Sequence, residues 1–515
     1  MALKNSSITF LCQVSDILLQ FVVRKLFIVY IGIELLGING TFSSILGALA
    51  VAELGFEGAI IYSLYKPISE NKKEIVEDII VILKRVYTFV GIFVLVAGLW
   101  IMPFLPQILK GVEVNIYIYI VYYLQVMSVA ITYFLGYKRT LIYALKLDYV
   151  RNIYISAYKL LASILHIVFI ISFSSYLAYV LIVFAQNLLT NISIARYCDK
   201  HFDYNFKNKK FNKEYFSKIF KDVKDIFWGK IAGYIYYSTD ALVISTVVGT
   251  VYVGFLSNYT QIFIQLKYVL NNVLNSNKPI IGELLTQNDN KEHILKVLNK
   301  YTFIRYLCCS FLFIPGVVLI DSFIMVWLSG DYVLPIYITL LIVVELYITF
   351  VHGALVDYIA GLGYFSYDKK ISIMGAILNL IISIALAFFY GVSGVLIGTV
   401  ISQSFFWIAR SIIVFKYYFC DLKTTFIKYW ARQMVYILLF SFNTFICFVM
   451  IKIIPLENSY FKVIIGGIIC WFIVTIINVL VLHRTEEYVF IRKLLFKLVV
   501  NLKRKVFKRQ NENML

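Results

Sequence analysis

Charge is what this sequence has least of. Only 15% of its 515 residues are Asp, Glu, Lys or Arg, and acids are the scarcer kind, 29 against 48 bases. A soluble domain carries roughly 25% charged residues, so a chain of this composition in water would expose large apolar patches and aggregate. Cysteine is sparse and odd in number, at 7, with no C-x-x-C pair. Cys12, Cys198, Cys308, Cys309, Cys420, Cys447 and Cys470 lie in apolar runs, which makes them small core hydrophobes rather than a disulfide framework. No G-x-x-x-x-G-K-[ST] loop is present to cradle a nucleotide. The five histidines are dispersed, with no H-E-x-x-H and no metal-ligand spacing. These absences exclude a soluble enzyme, a nucleic-acid binder and a secreted disulfide scaffold.

What is there is apolar: 61% of residues are hydrophobic and 17% aromatic. A helix crossing the hydrocarbon needs about 20 mainly apolar residues. Such runs fall near 9–31, 38–64, 82–106, 115–137, 153–173 and 176–197. After a polar stretch they resume near 231–250, 252–274, 301–328, 335–360, 371–390, 392–416, 431–453 and 462–482. The runs are continuous rather than alternating, which excludes a barrel. The expected fold is an all-α polytopic membrane protein of about 14 transmembrane helices. With the N-terminus inside, 40 of the 48 Lys and Arg fall on cytoplasmic loops and ends, while Lys110, Lys452 and Lys462 fall opposite. That asymmetry places both termini in the cytoplasm. The first span is too long for a cleavable signal and lacks a small-residue cleavage pattern. The net charge of +19, which in a soluble chain would suggest nucleic acid, here points to anionic membrane lipid.

The spans divide as six, then eight. An N-terminal six-helix lobe covers 1–198, and 199–230 is a basic linker in which Phe216, Ile219, Phe220, Val223, Ile226 and Phe227 recur at helical spacing. A second six-helix lobe covers 231–416, two further helices lie in 417–482, and 483–515 is a basic cytoplasmic tail. The lobes show a weak internal match. Gly32-Ile33-Glu34-Leu35-Leu36-Gly37 and Gly249-Thr250-Val251-Tyr252-Val253-Gly254 both put G-x-x-x-x-G at the tight turn between the first two spans of a lobe. Parallel repeats of this kind place a cavity between lobes near the midplane.

Several runs resemble a known family. Gly37-Ile38-Asn39-Gly40-Thr41-Phe42, Ala52-Glu53-Leu54-Gly55 and Ser63-Leu64-Tyr65-Lys66-Pro67 look like the second-helix pattern of bacterial polysaccharide-transport flippases. Ser238-Thr239-Asp240-Ala241-Leu242-Val243-Ile244, the Gly249/Gly254 pair and Ser257-Asn258-Tyr259 look like that family's seventh and eighth helices. The resemblance is to Wzx-like O-antigen and capsule-repeat translocases of the multidrug/oligosaccharidyl-lipid/polysaccharide (MOP) superfamily, which includes MATE exporters. It implies two MATE-like lobes rocking between inward-open and outward-open states. It also implies a polyprenyl-pyrophosphate-linked oligosaccharide as substrate and a polysaccharide polymerase as downstream partner, with no cofactor.

That substrate would need cations buried among the helices, and a charge inside a span costs about 2.5–3.5 kcal/mol, so it normally faces protein. The intraspan cations are Arg24, Lys25, Lys159, Lys267 and Arg410. Asp16, Gln20 and Arg24 recur at i, i+4, i+8 and give the first span one polar stripe. Arg24 is the first candidate for the pyrophosphate; its alternatives are an internal ion pair with Asp16 and snorkelling to the headgroups. Lys25, about 100° away, and Lys267 are further candidates, while Lys159 and Arg410 default to snorkelling. Asn39, Gln125, Asn258 and Gln261 would bond sugar hydroxyls or one another. For coupling to H+ or Na+, or for gating, the candidates are Glu53 and Glu57 on one face of the second span, Asp240, and Glu345 in mid-span. The 217-residue offset of the repeat sets Asp240 beside Arg24, which suggests a cross-lobe gate. Asp357, nearer the inner surface, is the weaker carboxylate. Two alternatives stand: a MATE-like cation-coupled drug exporter, whose cavity would be dominated by carboxylates, and a membrane-bound transferase using His352.

Overall fold

The computed structural model describes residues 2–50, 56–206, 215, 238–275, 278–287, 290–453 and 459–493. The helices are α1 (Ala2–Tyr30), α2 (Ile33–Ala50), α3 (Phe56–Ser69), α4 (Lys73–Ile101), α5 (Leu105–Ile108), α6 (Ile116–Phe134), α7 (Gly136–Ala144), α8 (Asp148–Phe173) and α9 (Tyr176–His201). They continue with α10 (Ser238–Val248), α11 (Thr250–Asn275), α12 (Lys278–Gln287), α13 (Lys291–Trp327), α14 (Ile336–Gly361), α15 (Phe365–Tyr390), α16 (Val392–Ile413), α17 (Thr424–Ile453) and α18 (Ser459–Leu482). No strand occurs among the described residues. Among the described residues, eleven helices are long and apolar enough to cross a membrane. The other three expected spans fall on α1 and α11, which carry more polar residues, and on α10, a shorter apolar helix. The chain is an all-α multi-pass membrane protein.

Helix ends follow local chemistry. Asn115, Ser175 and Asn290 precede α6, α9 and α13, and each side-chain oxygen accepts from a backbone N–H of the first turn. The Asp421 carboxylate accepts from the N–H groups of Lys423, Thr424 and Thr425 at the start of α17, and those backbone bonds hold its pKa below the usual aspartate range. The turns α1–α2 and α10–α11 pivot on Gly32, at φ +110°, and Gly249, at φ +154°, a region that disfavours any Cβ. They are the first glycines of the two repeated motifs.

The chain forms two compact units, one of Met1–Asn258 with Lys369–Ser402 and the other of Tyr259–Asp368 with Gln403–Leu515. In the first, α4 packs on α6, α8 on α1 and α9, and α6 on α9. Its core includes Phe27, Phe42, Tyr87, Tyr122 and Tyr176, all nearly inaccessible. In the second, α13 is the hub against α14, α17 and α18. Tyr306 of α13 stacks on Tyr436 of α17 at 4.7 Å and donates to Asn478 Oδ1 of α18 at 2.6 Å, so the last two spans are built into this core. Most of the basic linker and the tail beyond 493 lie outside the described residues.

Candidate functional site

The site begins with the polar stripe of α1. Gln20 Nε2 donates to Asp16 Oδ2 at 2.9 Å, as the i, i+4 spacing requires. The same oxygen takes the Lys159 ammonium of α8 at 2.5 Å, so Lys159 is an ion-pair partner rather than a snorkelling side chain. Asp16 Oδ2 thus serves Gln20 and Lys159, and no bond runs from Asp16 to Arg24 among the described residues. One turn past Gln20, Arg24 Nε donates to Asn258 Oδ1 at 2.7 Å and Nη2 donates to Ser257 Oγ, both on α11. These acceptors are neutral, and no carboxylate among the described residues pairs with Arg24. Its neighbour Lys25 is exposed on another face of α1.

Close backbone packing brings α11 to this position. A Cβ on Gly37 would collide with the Thr250 carbonyl oxygen, and one on Gly254 would sit 2.5 Å from Ile33 O and 3.1 Å from Gly37 N. The second glycines of the two G-x-x-x-x-G motifs therefore meet each other, and the sequence match is a contact. Nearby, Lys110 Nζ donates to Val247 O, Thr250 N donates to Lys110 O at 3.0 Å, and Ser245 Oγ donates to Ile108 O at 2.8 Å. Arg24 meets Ser257 and Asn258 on α11 rather than Asp240 on α10, so the gate pairing drawn from the 217-residue offset is replaced by a contact one helix further on.

Asp240 belongs to a second cluster in the same unit. Thr399 Oγ1 of α16 donates to Asp240 Oδ2 at 2.8 Å, and Asn379 Nδ2 of α15 lies 3.2 Å from Thr399 Oγ1. Ser383 Oγ donates to Val395 O at 3.2 Å, and that carbonyl also faces Thr399 at 3.1 Å. Oxygen atoms from three helices converge here, and the buried Asn379 Oδ1 has no hydrogen-bond partner among the described residues. Such an oxygen-rich, singly anionic set suits a proton or a small monovalent cation.

Asn39 Oδ1 accepts from Gln125 Nε2 at 3.1 Å and from Tyr176 OH at 3.2 Å, which makes it part of an interhelical knot. Glu57 accepts from Thr140 Oγ1 at 3.4 Å, and Glu53 lies outside the described residues.

The second unit holds a different kind of charge. Arg305 and Asp357 pair at 2.6 Å with side chains 6% and 5% exposed, so both charges are out of contact with solvent. Tyr301 OH donates to Asp357 at 2.8 Å, and Arg305 also donates to Phe350 O at 2.8 Å. The guanidinium lies where a Cβ on Gly353 would be. Arg410 pairs with Asp368 at 2.7 Å and donates from Nη1 to His352 Nε2 at 2.9 Å. Because that ring nitrogen accepts, Nδ1 carries the hydrogen and donates to Ile348 O at 2.8 Å. Both ring nitrogens of His352 are thus engaged. Arg410 is held by partners, not snorkelling. Glu345 accepts from Thr349 at 2.9 Å and lies within electrostatic reach of Lys267.

Arg305 lies within the apolar run 301–328 but so near its start that it is not counted with the intraspan cations; α13 starts ten residues earlier, at Lys291, and carries it inside. Ser257, Thr399 and Asn379 are neutral polar residues within spans, and nothing in their spacing names a partner on another helix.

The polysaccharide biosynthesis protein family matches residues 2–285. No curated protein matches the chain in sequence. Among solved structures it is similar to the lipid II flippase MurJ in an inward closed conformation, with TM-score 0.71 and 14% identity over 93% of this chain and 100% of that one. It is also similar to an inward-facing multidrug resistance MATE family transporter of the MOP superfamily, with TM-score 0.62 and 15% identity over 77% and 92% of the two chains. A third likeness is to a MOP superfamily transporter from Pyrococcus furiosus, described as having a reversed polarity of its binding pocket that suggests a different function. There the TM-score is 0.54 and identity 17%, over 79% and 93%.

Proposed function

We propose a function from the premise that the chain belongs to the polysaccharide biosynthesis protein family and has the MOP superfamily fold: it is a flippase. Its substrate is a polyprenyl-pyrophosphate-linked oligosaccharide repeat, carried from the inner to the outer leaflet of the cell membrane by alternating access for assembly into a surface polymer.

The observation that carries this reading is the Arg24 guanidinium bonded only to the neutral Ser257 and Asn258. A charge in a span costs about 2.5–3.5 kcal/mol, and a cation that serves only packing recovers that cost from a carboxylate. Arg24 has none among the described residues, so its electrostatic demand is left for an anion that comes and goes. A pyrophosphate, with several oxygens in a plane-and-fork match to guanidinium, is such an anion. A cation exporter would be built the other way, around an unneutralised carboxylate facing the drug.

The Asp240–Thr399–Asn379–Ser383 cluster is the proposed site of coupling to H+ or Na+. Protonation of Asp240, or a sodium ion among these oxygens, would change how α10 is tied to α15 and α16. In the same reading the chain consists of two six-helix repeats followed by two further spans, with both termini cytoplasmic and a polymerase consuming the exported product.

The test is outer-leaflet exposure of the lipid-linked oligosaccharide in cells lacking the protein and any redundant flippase. Wild type restores exposure and Arg24→Ala does not, although it reaches the membrane in normal amount. Normal exposure in the deleted strain overturns the flippase reading; full restoration by Arg24→Ala overturns Arg24 as the pyrophosphate contact.

A further inference from the structure

The partners of Arg24 are also the side chains that tie α1 to the first turns of α11, and this has a consequence for how substrate and conformation are linked. Along α11 the first attachment is the glycine contact, with Gly254 against Ile33 O and Gly37. One turn later come Ser257 and Asn258, gripped by Arg24. Gly254 O also accepts from Ser257 Oγ at 2.7 Å, which fixes the hydroxyl against its own helix and leaves its lone pairs toward Arg24. The glycine contact is backbone against backbone and contributes close packing only. The Arg24 bonds are charge-assisted, roughly twice as strong as neutral ones, and so are the stronger tie.

Asn258 adds a second observation. It is fully buried, its Oδ1 is taken by Arg24, and its Nδ2 has no acceptor among the described residues. A buried amide N–H without an acceptor costs about 1–3 kcal/mol. The arrangement therefore holds a cation without a counter-charge and, on the same amide that satisfies it, a donor without an acceptor. Both deficits are met by one kind of group: an anion with several oxygens.

Resting on the reading of Arg24 as a phosphate contact, we infer that Ser257 and Asn258 are stand-ins for phosphate oxygens, and that an incoming pyrophosphate releases α11 from α1 by taking Arg24 from them. The anion accepts from the guanidinium in place of Ser257 Oγ and Asn258 Oδ1, and Asn258 donates to it through Nδ2, so two direct bonds between α1 and α11 give way to one longer link through the anion. Substrate binding and loosening of the α1–α11 tie are then one exchange of acceptors. No covalent step is involved.

The experiment is hydrogen–deuterium exchange of amides 250–258 in the full-length protein in nanodiscs, with binding measured on the same samples. The probes are a long-chain polyprenyl pyrophosphate, inorganic pyrophosphate, and the polyprenol without phosphate. In wild type, exchange over 250–258 rises with the polyprenyl pyrophosphate and is unchanged by the polyprenol. A rise with inorganic pyrophosphate as well means the headgroup alone is the trigger; a rise only with the lipid means the tail must deliver it. Ser257→Ala, which removes one tie and keeps the amide, raises exchange without any ligand and leaves affinity equal or higher. Asn258→Asp places a carboxylate where the anion would sit: exchange falls below wild type, and affinity for the polyprenyl pyrophosphate falls about tenfold or more. Two results separate the possible failures. If the polyprenyl pyrophosphate binds wild type but not Arg24→Ala, and exchange over 250–258 does not change on binding, the release is wrong and the phosphate contact stands. If affinity is the same with and without Arg24, the phosphate contact itself falls.

Discussion

The two compact units carry their intramembrane arginines in opposite ways. In the second, Arg305 lies against Asp357 and Tyr301, and Arg410 against Asp368 and His352. In the first, Arg24 rests on a hydroxyl and an amide while the nearest acid of its own stripe, Asp16, is given to Lys159. A paired charge is finished chemistry: it holds helices at a fixed spacing, and removing either partner leaves the other buried and alone. A cation held by neutral acceptors ties helices together and still remains able to bind an anion. The difference separates residues that build the fold from residues that act, although all are arginines within spans.

The largest effect should come from breaking the finished pair. Asp357→Ala leaves Arg305 buried without its carboxylate, at a cost of about 3–5 kcal/mol, read as a large fall in the thermal unfolding midpoint in detergent. The double variant Arg305→Met/Asp357→Leu should recover most of that loss, because neither charge is then stranded. If it does not, the pair does more than hold helices together. Arg24→Ala should show a different balance: it loosens α1 from α11 and lowers the midpoint by less than Asp357→Ala, because it strands no charge, while substrate affinity falls by about tenfold or more, since a charge-assisted contact of about 1.5–3 kcal/mol is lost. Equal destabilisation by Arg24→Ala and Asp357→Ala would erase the distinction between the units.

A smaller effect follows from the glycine contact. Gly254→Ala sets a methyl 2.5 Å from Ile33 O and must push α2 from α11. It should weaken the α2–α11 contact and slow transport several-fold, with normal membrane levels. Normal transport by this variant would show that the contact is incidental. The smallest effect concerns stability alone. The backbone N–H groups of α17 lower the Asp421 pKa, so its capping contribution is full above the ordinary aspartate range and is lost as the pH falls through the lowered folded-state value. The difference in midpoint between wild type and Asp421→Ala should therefore be present at neutral pH and vanish in acid. A difference that persists in acid would contradict the cap.

Much of the fold was legible because hydropathy over a span is a sum, and sums tolerate a few polar residues. Among the described residues the fourteen apolar runs all fall on helix, the second of them on both α2 and α3, and the polar stripe Asp16–Gln20–Arg24 follows from i, i+4 geometry along one helix. The repeated G-x-x-x-x-G could be read as a turn, and Gly32 and Gly249 are turn residues at positive φ. That Gly37 and Gly254 face each other is a pairing, and a pairing between helices leaves no trace in periodicity. The same limit hid Arg24–Asn258 and Asp240–Thr399, and set Arg24 one helix away from its real partner. Arg305 was passed over as an intraspan cation for a simpler reason: Lys291, Lys296 and Lys300 make the first turns of α13 read as a loop and set Arg305 at the edge of the run, although the helix runs unbroken for 37 residues. Charge count gives a side of the membrane. It does not give the depth at which a helix begins.

The most direct measurement is translocation of a polyprenyl-pyrophosphate oligosaccharide in proteoliposomes, with wild type, Arg24→Ala and Arg410→Ala each reconstituted as folded protein in equal amount. The account predicts that Arg24→Ala abolishes translocation without unfolding the protein. It predicts that Arg410→Ala loses activity only in proportion to lost stability. Wild-type translocation by Arg24→Ala would contradict it.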